Sequence, residues 1–133
     1  MNKVLSLENI NGKKIFNILT EPHNSSKKIV IMSHGFRGSS IGPARTFVDF
    51  ESLLLQNGIS VLRFDQPNNG NSEGDFLEVS FNEWVATTVY FAQKYLSLGY
   101  QVGLLGQSMG ATATVIAVSK NDLAGKIPFI LLW

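Results

Sequence analysis

The sequence contains no cysteine, only two histidines and four prolines, and no long hydrophobic run. Without cysteine there is no disulfide, no thiolate metal site and no cysteine nucleophile. The two histidines, His23 and His34, both lie early in the chain, so imidazole chemistry has few places to come from. No stretch approaches the roughly 18 apolar residues of a membrane span. The start, M-N-K-V-L-S-L-E-N, lacks the apolar core of a signal peptide. A soluble, cytoplasmic protein that avoids membranes is therefore expected. Charge is scarce as well: 16% of residues are charged, and 11 basic against 10 acidic residues leave a net charge of +1. These charges are spread along the chain, which argues against a nucleic-acid surface with its clustered Lys and Arg. What remains is 133 residues, 44% of them hydrophobic. That length bounds the chain to one domain, 1–133, able to bury roughly two-thirds of its unfolded surface.

The hydrophobic period changes regularly along this domain. Residues 4–8 and 13–20 read as two strands around Asn11-Gly12, a pair suited to the positive dihedrals of a tight hairpin turn. I-V-I-M, stopping at Ser33-His34-Gly35, reads as a buried parallel strand. Pro43 offers a helix first turn, and Phe47, Phe50 and Leu54 recur at helical spacing until Gly58. I-S-V-L-R-F-D is a further strand, followed by the polar loop Q-P-N-N-G-N-S-E-G-D. Ser80 and Glu83 form a capping box that opens a helix ending near Gly99. Tyr100 to Leu105 is a strand, A-T-A-T-V-I-A-V a small-residue helix, and K-I-P-F-I-L-L-W a strand-like run. Strands alternating with helices imply an α/β fold: a mostly parallel sheet, helices on both faces, and the leading hairpin as an antiparallel edge.

Such sheets place ligands beyond the carboxyl ends of their strands, which directs attention to 33–42, 66–75 and 106–110. The pattern G-x-S-x-G, which puts a serine nucleophile on a sharp turn, occurs three times, at 38–42, 70–74 and 106–110. The turn must join a strand directly to a helix. Ser40 lies several residues beyond its strand, and no helix follows Ser72 until Ser80. Ser108 alone follows a buried strand at once and enters a helix at once, with Ala111 and Ala113 keeping that helix close to the sheet. The simpler alternative is a serine that only caps the helix. Acyl transfer also needs backbone N–H donors for an oxyanion: Met109, after the serine, suits one position and Phe36, in S-H-G-F-R-G, the other. No cluster of metal ligands is present, and no cofactor is implied.

The segments S-H-G-F-R-G, L-R-F-D-Q-P-N-N-G-N-S-E-G-D-F and L-L-G-Q-S-M-G-A, in this order, resemble the α/β-hydrolase superfamily. Within it they are most similar to small bacterial esterases of the feruloyl or cinnamoyl type and their serine-aminopeptidase-like relatives. The resemblance runs along the whole chain but covers only the N-terminal half of the family's fold. It implies Ser108 as nucleophile, Phe36 and Met109 as oxyanion donors, and His34, Gly35, Gly106, Gln107 and Gly110 as supporting residues. It also implies a small-molecule ester of a carboxylic acid as substrate. Two positions depart from the family pattern: Pro67-Asn68 stands where Arg-Gly is usual, and Ala111 where a second glycine is common.

In that family the acid and the histidine follow the serine. After Ser108 this sequence has one acid, Asp122, in a loop where the family does not place it, and no histidine. His34 belongs to the oxyanion loop, where the resemblance implies a structural role, and His23 reads as an exposed turn residue. A serine without a base is a poor nucleophile. The expectation is an incomplete domain whose triad acid and base lie outside these residues, and which is inactive alone. The alternatives are a non-catalytic interaction module, pairing with itself or a partner chain along the apolar 126–133 edge, and an acyltransferase or perhydrolase on the same scaffold.

Overall fold

A computed structural model describes residues 1–120 and 122–133. Six strands form one sheet in the order β1-β2-β4-β3-β5-β6. β1 (Asn2–Ile10) and β2 (Lys13–Glu21) make the expected hairpin. Asn11 (φ 51°) and Gly12 (φ 85°) turn it, both in the left-handed region that Asn-Gly tolerates. β2 joins it antiparallel to β4 (Ser60–Phe64), while β3 (Lys28–Ser33), β5 (Gln101–Gly106) and β6 (Phe129–Leu132) continue the sheet in parallel.

The apolar runs of β3 and β5, and the buried β4 between β2 and β3, are explained by helices on both faces. Alternate side chains point to opposite sides. Ile29, Ile31, Leu62, Phe64, Val102 and Leu104 pack with Phe91, Ala92 and Tyr95 of α2 (Phe81–Ser97) and Ala117 of α3 (Met109–Lys120). Val30, Met32, Val61 and Leu105 pack with Phe47 of α1 (Thr46–Gln56) on the other face.

Three local expectations need correction. Pro43 begins only a short 3-10 turn; Ala44 (φ 49°) and Arg45 (φ 63°) are left-handed, and α1 starts at Thr46. Phe47 is the reason: its side chain is fully buried and its N–H donates to Ile41 O (3.2 Å), so the chain must bend sharply before the helix. The capping box at α2 is one-sided. Ser80 accepts from Glu83 N–H, but the Glu83 carboxylate instead meets Lys13 of the hairpin at 2.6 Å. The last strand is shorter than 126–133, because the N–H groups of Lys126 and Ile127 turn back to Leu123 O (2.9 and 3.1 Å) and Pro128 has none.

Candidate active site

Ser108 sits between β5 and α3 with φ 54°, a left-handed conformation rarely adopted by residues other than glycine. Its neighbours hold it there. The Ser108 N–H donates to Trp133 O (2.7 Å), and its C=O accepts from Ala111 (2.8 Å) and Thr112 (3.2 Å). The close approach behind the turn depends on Gly110, where an added Cβ would lie 2.8 Å from Ser33 C and nearer still to two carbonyl oxygens. Gly106, the last residue of β5, accepts from the Trp133 N–H (3.0 Å). Ser108 is exposed at the N-terminal end of α3, where the helix dipole favours negative charge. The Met109 N–H, next along, has no hydrogen-bond partner among the described residues.

The loop after β3 lies against this turn. An added Cβ on Gly35 would stand 3.1 Å from Ser108 Cβ, so the loop leaves room for glycine only. Gln107 fastens the two segments: its Oε1 accepts from Gly35 N–H (2.8 Å) and its own N–H donates to Ser33 O (3.0 Å). Phe36 follows, its ring exposed and its N–H again without a hydrogen-bond partner among the described residues.

His34 is fully buried. Gln66 N–H donates to its Nε2 (2.9 Å), which assigns the proton to Nδ1; that N–H donates to Gly35 O (2.7 Å). Burial pushes the imidazole below the ordinary histidine range, although the Gly35 bond and the charge of Asp65 act in the opposite direction. With both ring nitrogens engaged, His34 has none to offer Ser108. His23 is exposed, and Asp122 is an exposed loop residue whose carboxylate meets Lys126 at 3.4 Å.

The wall behind this loop is a polar network that spacing did not reveal. Buried Asp65 accepts from Ser40 N–H with Oδ1 (2.6 Å) and from Asn71 N–H with Oδ2 (2.8 Å). Buried Arg63 donates from Nη1 to Ser40 O (2.8 Å) and pairs through Nε with Glu51, which also meets Lys3 at 3.1 Å. Burial opposes the charge on Glu51, yet Arg63 and Lys3 hold its carboxyl below the usual range. Ser40 is thus gripped at both N–H and C=O. Ser72 is also structural: its hydroxyl donates to Asp65 O (2.6 Å) and accepts from Phe16 N–H (2.9 Å). The remaining two G-x-S-x-G matches are therefore fixtures of the loops.

Among the described residues no group of His, Asp and Glu is arranged to hold a metal ion, and no helix is long and apolar enough to cross a membrane.

No family model matches the chain, and no curated protein matches it in sequence. Solved structures do. The ferulic-acid complex of Est1E from Butyrivibrio proteoclasticus is 24% identical with a TM-score of 0.79, over 90% of this chain and 48% of that one. A putative hydrolase from Agrobacterium vitis is 16% identical with a TM-score of 0.75, over 98% and 50%. A dienelactone hydrolase from Anabaena variabilis is 18% identical with a TM-score of 0.77, over 98% and 62%. This chain spans about half the length of the first of these structures. At such identities the likeness is one of fold. The fold is that of the α/β-hydrolases, and this chain carries the hairpin and the strands and helices up to β6.

Proposed function

We propose that the chain carries the nucleophile half of a serine hydrolase that acts on carboxylic esters. Ser108 Oγ attacks the ester carbonyl, and the N–H groups of Phe36 and Met109 receive the developing oxyanion. The alcohol leaves with a proton, and water hydrolyses the acyl-serine. The observation that carries this reading is an exposed serine on a left-handed strand-to-helix turn, with the N–H groups of Met109 beside it and of Phe36 next to Gly35 without a hydrogen-bond partner among the described residues. Donors of this kind are worth on the order of 100- to 1000-fold in rate each.

The base that takes the Ser108 proton, and the acid that orients it, come from outside these 133 residues. The reason is positional: His34 is locked by two hydrogen bonds and no other histidine lies beyond position 23. A fluorophosphonate probe applied to the natural gene product, followed by peptide mapping, labels Ser108. A label on any other serine sinks the assignment. The isolated chain hydrolyses p-nitrophenyl acetate no faster than its Ser108→Ala variant, and clear turnover above that control refutes the need for an outside base.

A second reading, the interaction module, is favoured by one observation. Among the described residues β6 pairs with β5 alone, and Phe129, Leu131, Leu132 and Trp133 around it are exposed. An unpaired apolar edge recruits another strand. On this reading the chain sediments as a dimer or larger assembly; a monomer at high concentration excludes it.

A further inference from the structure

A cleft of about 510 Å³ is lined by Arg37, Gly38, Asn69, Gly70 and Phe76, among others. It is formed where the loop after β3 faces the loop after β4. Among the described residues that line it, Arg37 is the one cation. The residue is exposed and left-handed (φ 61°), and it follows directly on Phe36. The guanidinium carbon lies 6.0 Å from the Phe36 ring centroid and 5.7 Å from that of Phe76, and the two rings contact each other at 5.3 Å.

Four acids of the facing segment stand nearby in sequence, Asp65, Glu73, Asp75 and Glu78, and none of them forms an ion pair with Arg37 among the described residues. Asp65 is buried with both oxygens accepting backbone N–H groups. Glu73 accepts from Lys14 N–H (3.1 Å) and Asp75 from Leu77 N–H (2.9 Å). None of the ion pairs among the described residues includes Arg37. Its side chain has no hydrogen-bond partner among them either. A guanidinium near aromatic rings with no ion pair or hydrogen bond among the described residues has N–H groups to offer, and its planar fork matches a carboxylate bidentately. The N–H of Gly70, in the same cleft, has no partner among the described residues and adds a further donor.

We propose that this cleft binds a carboxylate carried by the substrate, so that the esters taken by Ser108 are half-esters: one ester group and one free carboxylate on a short spacer. The substrate class rests on the Ser108 reading, whereas the carboxylate site does not. Arg37 directly follows Phe36, the oxyanion donor of the Ser108 reading, and this adjacency links the carboxylate site to the ester chemistry.

The test is a titration of the ¹⁵N-labelled chain with monomethyl succinate and, in parallel, with the neutral dimethyl ester. The half-ester gives saturable shifts at the Gly38 and Gly70 amides and the Arg37 side chain, while the diester binds at least about tenfold more weakly. Arg37→Gln abolishes the preference, and Arg37→Lys keeps part of it, as a point charge without the planar fork. Raising salt from a few millimolar to about 150 mM weakens the half-ester only. Equal binding of both esters, unchanged binding by Arg37→Gln, or no saturable shift at about 50 mM ligand overturns the site. Should Arg37→Gln lose the folded spectrum, the two esters on the parent chain and the Arg37→Lys variant decide the question. Carboxylate binding needs neither Ser108 nor a base, so failure here leaves the fluorophosphonate label in place, and failure of the label leaves these shifts.

Discussion

The two segments that meet at the candidate site are held by different forces. The loop after β3, residues 34–40, is held by side chains: His34 on Gln66, Asp65 and Arg63 on Ser40, Gln107 on Gly35. The Ser108 turn is held by backbone, through bonds to Trp133, Ala111 and Thr112 and the close approach of Gly110 to Ser33 and His34. Buried polar networks respond to proton concentration and to the loss of one partner. Close-packed backbone responds to added volume and hardly to pH. The same site therefore has one half that can be loosened by acid and another that cannot.

The largest expected effect separates the halves at once. Glu51→Gln leaves buried Arg63 without its charge partner, and breaking such a pair costs about 3–5 kcal/mol. Because the Glu51 carboxyl is held below its ordinary value of 4.5, its contribution is present above that pH and is lost as pH falls through the folded value. Urea midpoints measured against pH should lose this acid step in the variant. A variant as stable as the parent at pH 7 would place the weight of the loop elsewhere. Gly110→Ala attacks the other half. The new methyl meets backbone carbonyls that cannot swing away, and the expected loss is about 3 kcal/mol. Its pH profile should run parallel to the parent's, and a changed acid step would erase the contrast drawn above.

His34 gives a smaller effect with a definite sign. Burial lowers its folded pKa below 6.5, so the neutral imidazole contributes stability in full above that value. As pH drops below 6.5 the unfolded chain takes the proton first, and stability falls until the folded pKa is passed. His34→Phe removes the slope and, by leaving Gln66 N–H unpartnered, costs about 2 kcal/mol at pH 7. A slope that survives this substitution assigns it to another group.

Much of the fold was legible in the sequence because it rests on local chemistry. Asn11-Gly12 suits only a tight turn, the apolar runs at β3 and β5 suit only a covered sheet, and Ser108 stands between such a run and small residues. What escaped was set by distant partners. Glu83 matches a capping box, yet Lys13 of the hairpin, 70 positions away, draws its carboxylate off. Pro43 suits a helix start, yet burial of Phe47 sets where α1 begins. Glu51 sits on a helix and Arg63 in a strand, and periodicity counts only apolar positions, so their pairing had no local mark. Asp65 came nearest: an acid ending an apolar strand is out of place unless N–H groups surround it.

The smallest effects compare the two halves most directly. Ser108 and Arg37 carry nearly the same backbone strain, φ 54° and 61°, one in each half. A left-handed residue other than glycine costs about 1–2 kcal/mol, and glycine gives back part of that gain through the freer unfolded chain. The Ser108 side chain has no hydrogen-bond partner among the described residues. Ser108→Gly should therefore stabilise by about 0.5 kcal/mol while the fluorophosphonate label disappears. At Arg37 the same exchange also removes the guanidinium from two rings, a contact worth about 0.5–1 kcal/mol, so Arg37→Gly should leave stability unchanged within error. Equal gains at both positions would mean that the rings do not hold Arg37. A loss at Ser108 would mean that the turn is set by the serine side chain, and the division between a half held by side chains and a half held by backbone would fall.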